Sequence, residues 1–398
     1  MRAYLELLRR HPIVARLSAI QFVAYLGTWF SMVAVYVLMT RLGASPMLIS
    51  WVAIMSFLPG ILQAPIVGVI IDRMPFKPLM LTLLVVELVA TAGLLFIDSL
   101  ALAWLLLTLL FLRMGAASFY FTAEMSLLPQ LLDSLALKQA NELHSMIWAI
   151  TYTVGMALGG VVVEFWGVST AIVVDLLFFV VAISLFASID VRIPKAPQIG
   201  SFVTQIIDGA RYILHDKKVR YLLFVHASVG LTAYDALVAL LADVLYKETI
   251  AVALSIGLVN AIRAIGLTLG PLLVGRYIRK TNLDIVMALQ GVSILFWALM
   301  QPYFYPSLIA VFLVGFLTTS IWSLSYAMLQ EATDHAYLGR VMSYNEMTFM
   351  SMSVLGSFLV GALFEYAHFT LPQTTAVLGA LFLGMSLYYR RHKALFVG

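Results

Sequence analysis

The sequence predicts an all-α membrane protein: twelve transmembrane helices in two pseudo-symmetric six-helix bundles. Three observations predict it. Of the 398 residues, 62% are hydrophobic and only 11% are charged, against roughly 25% charged in soluble domains. The apolar residues come in runs long enough to cross a bilayer, separated by short polar joints. The basic residues gather in every second joint, which is how lysine and arginine distribute about a membrane.

The elements follow in order. A helix needs about 20 mostly apolar residues to cross the hydrocarbon core. Cutting at charged and Pro/Gly joints places spans at 13–40, 47–71, 77–97, 101–126, 139–165 and 168–190, then at 219–246, 250–278, 283–303, 306–329, 341–366 and 370–390. The N-terminus is basic (Arg2, Arg9, Arg10), but the run from Ile13 to Thr40 is too long for a signal-peptide core and is expected to stay as the first span. Of the 24 Lys and Arg residues, Arg41 and Lys247 fall in joints of one parity and Arg113 and Arg263 within spans. The other 20 fall on the other side. That bias orients both termini to the cytoplasm of a bacterial inner membrane.

The joint 191–218 is the longest. It opens with Arg192-Ile193-Pro194-Lys195-Ala196-Pro197, an extended start. Phe202, Ile206, Ala210, Ile213 and Leu214 then recur at helical spacing, with Asp208, Arg211, Asp216 and Lys217 between them. An amphipathic helix on the cytoplasmic surface is expected, with a plain linker as the other reading. The domains expected are a first bundle at 1–190, this linker at 191–218 and a second bundle at 219–398. The halves echo each other: Gly68-x-x-x-Asp72-Arg73 follows span two, and Gly275-x-x-x-Arg279-Lys280 follows span eight. Leu128-Pro129-Gln130 ends span four, and Leu329-Gln330-Glu331 ends span ten. Such echoes suggest a duplicated six-span unit.

The span-two joint, Gly68-Val69-Ile70-Ile71-Asp72-Arg73-Met74-Pro75-Phe76-Lys77-Pro78, packs a glycine, an acid and two bases between apolar runs. With twelve spans and a central loop, this pattern resembles the major facilitator superfamily. Phe57-Leu58-Pro59, Asp208-Gly209-Ala210-Arg211-Tyr212 and Leu338-Gly339-Arg340-Val341 look most like its macrolide-efflux-like drug:proton antiporter branch. The resemblance covers nearly the whole chain. It implies the major facilitator fold, alternating access, and export of amphipathic compounds driven by proton entry. Two motifs depart from the branch. Arg113 is followed by glycine at Gly115, one place early, and Gly155-x-x-x-Gly159-Gly160 lacks the proline of the antiporter pattern.

The resemblance also implies roles for residues in the joint. Asp72 ends span two at the negative end of its helix dipole and is expected to bind the start of span eleven near Arg340 and Val341. Gly68 would allow close helix approach. Arg73 and Lys77 would pair with acids or lipid phosphate, or else merely set topology. Gly68, Asp72, Arg73, Lys77 and Arg340 are therefore the expected gate.

Ionisable groups inside spans are costly in hydrocarbon and usually face a cavity or a partner. Arg113 lies mid-span four, Asp235 mid-span seven, Arg263 mid-span eight and Glu124 near the cytoplasmic end of span four. These four are the expected proton-coupling set, with Asp235 and Arg263 as the preferred pair; a static ion pair is the alternative. Glu87 and Asp175 are expected only to hydrogen-bond between helices. His226 is expected to be a satisfied structural histidine, and His144 to contribute to a gate. Tyr25 and Trp29 are four apart on span one, with Tyr36 further on. Trp322 and Tyr326 are four apart on span ten, and Met350 and Met352 lie on span eleven. Related folds line a central cavity with spans one, four, seven and ten. Tyr25, Trp29, Trp322 and Tyr326 are thus the expected substrate contacts, where rings and thioethers suit a large apolar or cationic solute. Lipid-facing packing is the other reading.

Other classes lose support. No catalytic cluster, metal-ligand spacing or phosphate loop is visible, so neither an enzyme nor a cofactor is expected. No pore motif or ring of like charge suggests a channel. The net charge of +4 is spread over joints and does not suggest nucleic acid, and the chain has no cysteine for disulfides. The expected partners are an amphipathic small molecule, protons and membrane lipid, with the protein a monomer. Export of a lipid, glycolipid or siderophore is the second transport reading.

Overall fold

The computed structural model describes residues 2–189, 202–334 and 336–397, and within them the side chains of a few helical positions, Gly68 and Asp72 included, lie outside the described set. Long apolar runs satisfy their backbone hydrogen bonds internally as helices, the economical solution where no water is present. In chain order these are α1 (Arg2–Arg10), α2 (Pro12–Arg41), α3 (Pro46–Met55), α4 (Leu58–Arg73), α5 (Phe76–Gly93), α6 (Ala103–Leu131), α7 (Ser134–Trp166), α8 (Val168–Ala187) and α9 (Phe202–His215). There follow α10 (Lys217–Ala227), α11 (Asp235–Leu241), α12 (Val252–Val274), α13 (Leu283–Met300), α14 (Phe304–Ala332), α15 (Leu338–Glu365), α16 (Leu371–His392) and α17 (Ala394–Val397). Twelve candidate membrane spans are built from these among the described residues, and α2 alone, with 30 residues, is about 45 Å long. Outward faces carry bare apolar side chains such as Trp104 (80% exposed) and Leu272 (74%), as a lipid-facing surface requires.

Polar residues set the ends. Asp133 caps α7 by accepting from Ala136 N–H, and Asp216 caps α10 by accepting from Val219 N–H. Thr370 and Gln373 form a reciprocal capping box at the start of α16.

Two spans differ from the continuous helices expected. Span two divides at Ser56 and Phe57 into α3 and α4, where Pro59 lacks the N–H that would continue the ladder. Span seven divides into α10, a 3-10 turn at Ser228–Thr232, α11 and a π-helical turn at Ala242–Tyr246. Helix α1 was not expected: its Leu7 is 3% exposed and packs into the core, while Arg9 and Arg10 stay outside.

The described residues group into two compact units. One comprises those of Met1–Gly43, Leu62–Gln198 and Ile256–Leu258; the other comprises those of Ala44–Ile61, Ile199–Ser255 and Val259–Gly398. In the first, Leu17, Ile20, Met80, Leu84, Ala123, Leu127, Phe179 and Ala182 from α2, α5, α6 and α8 form one apolar core. In the second, α3 lies against α15: Met47 N–H donates to Glu365 Oε2 at 2.7 Å. Here α12 and α14 cross closely, because a Cβ on Gly266 would meet Phe312 O at 2.3 Å and one on Gly315 would meet Arg263 O at 2.2 Å. Trp297 Nε1–H and the Tyr246 hydroxyl both donate to Ser307 Oγ, at 3.0 and 2.8 Å, which satisfies two aromatic polar groups in the core.

Candidate functional site

The first unit buries several charges among apolar helices. Arg113, in the middle of α6, is fully buried. Its Nη2 donates to Asp175 Oδ2 of α8 at 2.7 Å and its Nη1 donates to Ser31 Oγ of α2 at 2.7 Å. The guanidinium also stands 5.7 Å from the Phe179 ring centroid. Gly27 makes room for the acid, since a Cβ there would lie 2.3 Å from Asp175 Oδ1. Glu87 of α5 is also buried, at 3% exposure. A desolvated pair of this kind is compensated within itself, and losing one partner leaves a bare charge. Arg113, expected in the proton-coupling set, is thus held by Asp175, which the sequence did not single out as its partner.

About three turns along α6 lies a second polar group of a different kind. Glu124 is 2% exposed, and its Oε2 accepts from Gln21 Nε2 of α2 at 3.1 Å. The same Gln21 nitrogen meets His144 Nδ1 of α7. No ion pair to Glu124 is present among the described residues. The Phe121 ring lies 5.0 Å from the imidazole and Tyr25 stands edge-on to it at 5.9 Å. Beside this group is a cavity of about 210 Å³, open mouth included, lined by Ser18, Gln21, Glu124, Met125, Ala140 and His144 among others. Its enclosed part has room for about one water. Gln21 carries no charge, and so it escaped a reading built on charges in spans.

Trp29 sits one turn beyond Tyr25, in a ring cluster with Tyr152 at 4.7 Å and Trp148 at 5.9 Å. Gly155 and Gly159 bring α7 close enough for this: a Cβ on Gly155 would lie 2.8 Å from Trp29 Cβ, and one on Gly159 would lie 2.9 Å from Phe30 O. The glycines of the antiporter-like pattern therefore serve a tight α2–α7 crossing without the proline.

In the second unit Arg263 of α12 reaches the break in span seven. Its Nη1 donates to Thr232 O at 2.9 Å, and its guanidinium lies 5.7 Å from the Tyr234 ring. Asp235 follows Tyr234 directly and opens α11, three residues after the Thr232 carbonyl that Arg263 reaches. The break is packed backbone to backbone, as a Cβ on Gly230 would meet Phe349 O at 2.4 Å. His226 is fully buried on α10 and its Nδ1 is 2.9 Å from Ser325 Oγ. Trp322 and Tyr326 stack on each other at 5.1 Å and each lies 5.5 Å from the imidazole, with Phe349 at 6.0 Å. The histidine and the two expected substrate contacts are thus one cluster.

The gate residues are spread out. Lys77 Nζ donates to Ala187 O at 2.8 Å, at the C-terminal end of α8, where a cation is favoured. Arg73 is exposed in the last turn of α4. The side-chain surroundings of Gly68 and Asp72 lie outside the described residues. Arg340 lies over the Tyr337 ring at 5.3 Å, and its Cβ is 3.0 Å from where a Cβ on Gly209 of α9 would be. Tyr212 of α9 stacks on Tyr337 at 4.4 Å, and its Oη accepts from Asp334 N–H at 3.0 Å. On the same helix Ile213 is buried as expected, whereas Leu214, expected on the same apolar face, is 64% exposed. Arg192 and Lys195 lie outside the described residues. Among the described residues no group of three His, Asp or Glu side chains is placed to hold a metal ion.

The model of the Major Facilitator Superfamily matches residues 17–289. Macrolide efflux protein A of Streptococcus pyogenes is 23% identical over 360 residues, covering 86% of this chain and 87% of that protein. Macrolide efflux protein A of Enterococcus faecalis is 24% identical over 307 residues, covering 73% of this chain and 93% of that protein. Among solved structures, the nucleoside transporter NupG superposes with a TM-score of 0.73 at 12% identity, over 100% of this chain and 99% of that one. The POT family transporter PepTSo gives 0.72 at 11% identity, over 96% and 98%. At such identities the structural likeness speaks for the fold.

Proposed function

The chain belongs to the Major Facilitator Superfamily, a multi-pass membrane transporter of small molecules and not an enzyme; from that premise we propose that it exports amphipathic compounds, macrolides among them, in exchange for protons. Glu124 carries the coupling part of the proposal. It is a buried carboxylate held by a neutral amide beside a water-sized cavity. Such an acid gains or loses a proton as its surroundings change, whereas one locked to an arginine is committed to its charge. Arg113 then serves as an anchor for α6 through Asp175, and Asp235 with Arg263 is a second coupling candidate at the break in span seven.

The substrate part rests on the two efflux relatives and on the rings Tyr25, Trp29, Trp322 and Tyr326, whose faces suit a large apolar or cationic solute. Gly68, Asp72, Arg73, Lys77 and Arg340 are proposed as gate residues of an alternating-access cycle. Both termini are assigned to the cytoplasm of a bacterial plasma membrane by the bias of Lys and Arg, and the working unit is a monomer in contact with lipid.

Transport into everted membrane vesicles tests the proposal, using one macrolide, one dye and one lysolipid with and without a proton gradient. Macrolide and dye uptake should collapse when a protonophore removes the gradient. Uptake that persists undiminished without the gradient would contradict proton exchange.

A further inference from the structure

The Gln21 amide nitrogen has two hydrogens and two polar neighbours at one place. Its nitrogen donates to Glu124 Oε2 at 3.1 Å and also meets His144 Nδ1, where the direction of the bond follows the imidazole's tautomer. With the amide donating there as well, Nδ1 is a bare lone pair and His144 is neutral with its proton on Nε2. The amide as placed therefore fits one state only: a proton-free Glu124 oxygen and a proton-free Nδ1. A proton arriving on Nδ1 would set two donors face to face. Turning the amide by half a turn presents Oε1 to both neighbours. That orientation fits a protonated His144, but it sets two acceptors together unless Glu124 carries a proton as well. The group has two self-consistent states, one with both partners empty and one with both loaded, and a strained state between them.

We infer that Gln21, Glu124 and His144 form a two-proton switch in which the Gln21 amide turns over as the pair loads, so that Gln21 is the positioning residue that couples the two titrations. The inference rests on the proton-exchange reading. The surroundings favour it. The cavity that touches Ser18, Gln21, Glu124 and His144 has room for about one water, enough to deliver protons and too little for the exported solute. Protons enter from that water, and no other bond is made or broken.

The other titratable groups nearby do not supply a ready alternative partner. On α2, Tyr25 presents its ring edge to His144, and Arg16 is exposed. On α6, Tyr120 and, about 16 Å away by helical rise, Arg113 flank Glu124, the latter already paired with Asp175 of α8. On α5, Glu87 acts on both Tyr25 and Tyr120. On α7, Glu142 accepts from the Tyr4 hydroxyl of α1 at 2.9 Å, and the Lys138 side chain lies outside the described residues.

The test is the pH profile of gradient-driven macrolide uptake in everted vesicles for the wild type, Gln21→Leu and Gln21→Glu. Coupled loading gives the wild type a profile steeper than a single titration, with a slope of about two. Gln21→Leu removes the amide that penalises half-loading, so the slope should fall to about one and the midpoint should move up by about one pH unit. Gln21→Glu fills the same space, adds a negative charge and should move the midpoint further in the same direction. Each variant's midpoint of thermal unfolding in detergent is measured alongside, and a variant that does not fold is replaced by Gln21→Met. A single-titration slope in the wild type, or a variant profile that overlays it, overturns the switch while leaving proton exchange standing. Uptake independent of any gradient in the wild type overturns proton exchange itself, and the switch with it.

Discussion

Arg113 and Glu124 lie on the same helix, eleven positions apart, both buried, yet they are held in opposite ways. The arginine meets a full opposite charge at 2.7 Å and a hydroxyl at 2.7 Å. The glutamate meets one amide hydrogen at 3.1 Å and a small cavity. Burial alone therefore does not identify a working residue. A buried charge that is matched by another is bound to one state, because separating the two in a medium of low polarity costs far more than holding them together. A buried acid matched only by a neutral dipole can exist with or without its proton. The second unit repeats the contrast less sharply: Arg263 donates to a backbone carbonyl at the break in span seven, and His226 leans on a serine hydroxyl within a ring cluster.

The comparison breaks most easily at the anchored end. Arg113→Leu should leave Asp175 charged and alone, with a loss of about 3–5 kcal/mol. The check is thermal unfolding in detergent, in which Arg113→Leu with Asp175→Leu should recover most of the loss. A double variant no better than the single one would mean that the pair is not a closed unit. Gly27→Ala attacks the same anchor from the facing helix. Its new Cβ would press on Asp175 Oδ1, and the overpacking should cost about 1–3 kcal/mol by the same measurement. At the other end, Glu124→Gln should leave the unfolding midpoint near that of the wild type and lower gradient-driven uptake by about tenfold or more, a change of ~1.4 kcal/mol. A large loss of stability there would erase the distinction between the two ends of α6. The smallest effect expected is Trp322→Ala, which removes a stacking partner worth about 0.5–1.5 kcal/mol and should reorder preference within a substrate panel by a few-fold. An unchanged ranking would take Trp322 out of the substrate contacts.

Much of the fold was legible because hydrocarbon imposes a simple rule: each span is a long apolar run ended by charges, prolines or glycines. The breaks in spans two and seven were less so. Phe57-Leu58-Pro59 carries a visible proline, but between Ser228 and Tyr234 the one cue to the 3-10 turn is Gly230, whose close approach to the backbone of α15 only the packing reveals. The sites divide similarly. Single charges within spans stand out, as Arg113, Glu124, Asp235 and Arg263 do. Their pairings do not, because Asp175 is 62 residues from Arg113 and Gln21 is 103 residues from Glu124, each on another helix. Linear spacing reports neighbours on one helix and is silent about those brought alongside by packing. Gln21 was hidden further by being neutral, although an amide is the group best able to adapt to a neighbour that gains a proton.

The proton-exchange reading stands or falls with the proton that moves when solute moves. In everted vesicles holding an acid interior, adding a macrolide should release internal acid, read by a trapped pH dye, for the wild type. Glu124→Gln should abolish that release while Arg263→Lys leaves at least part of it. Solute-dependent acid release by Glu124→Gln equal to that of the wild type would contradict the role of Glu124 directly.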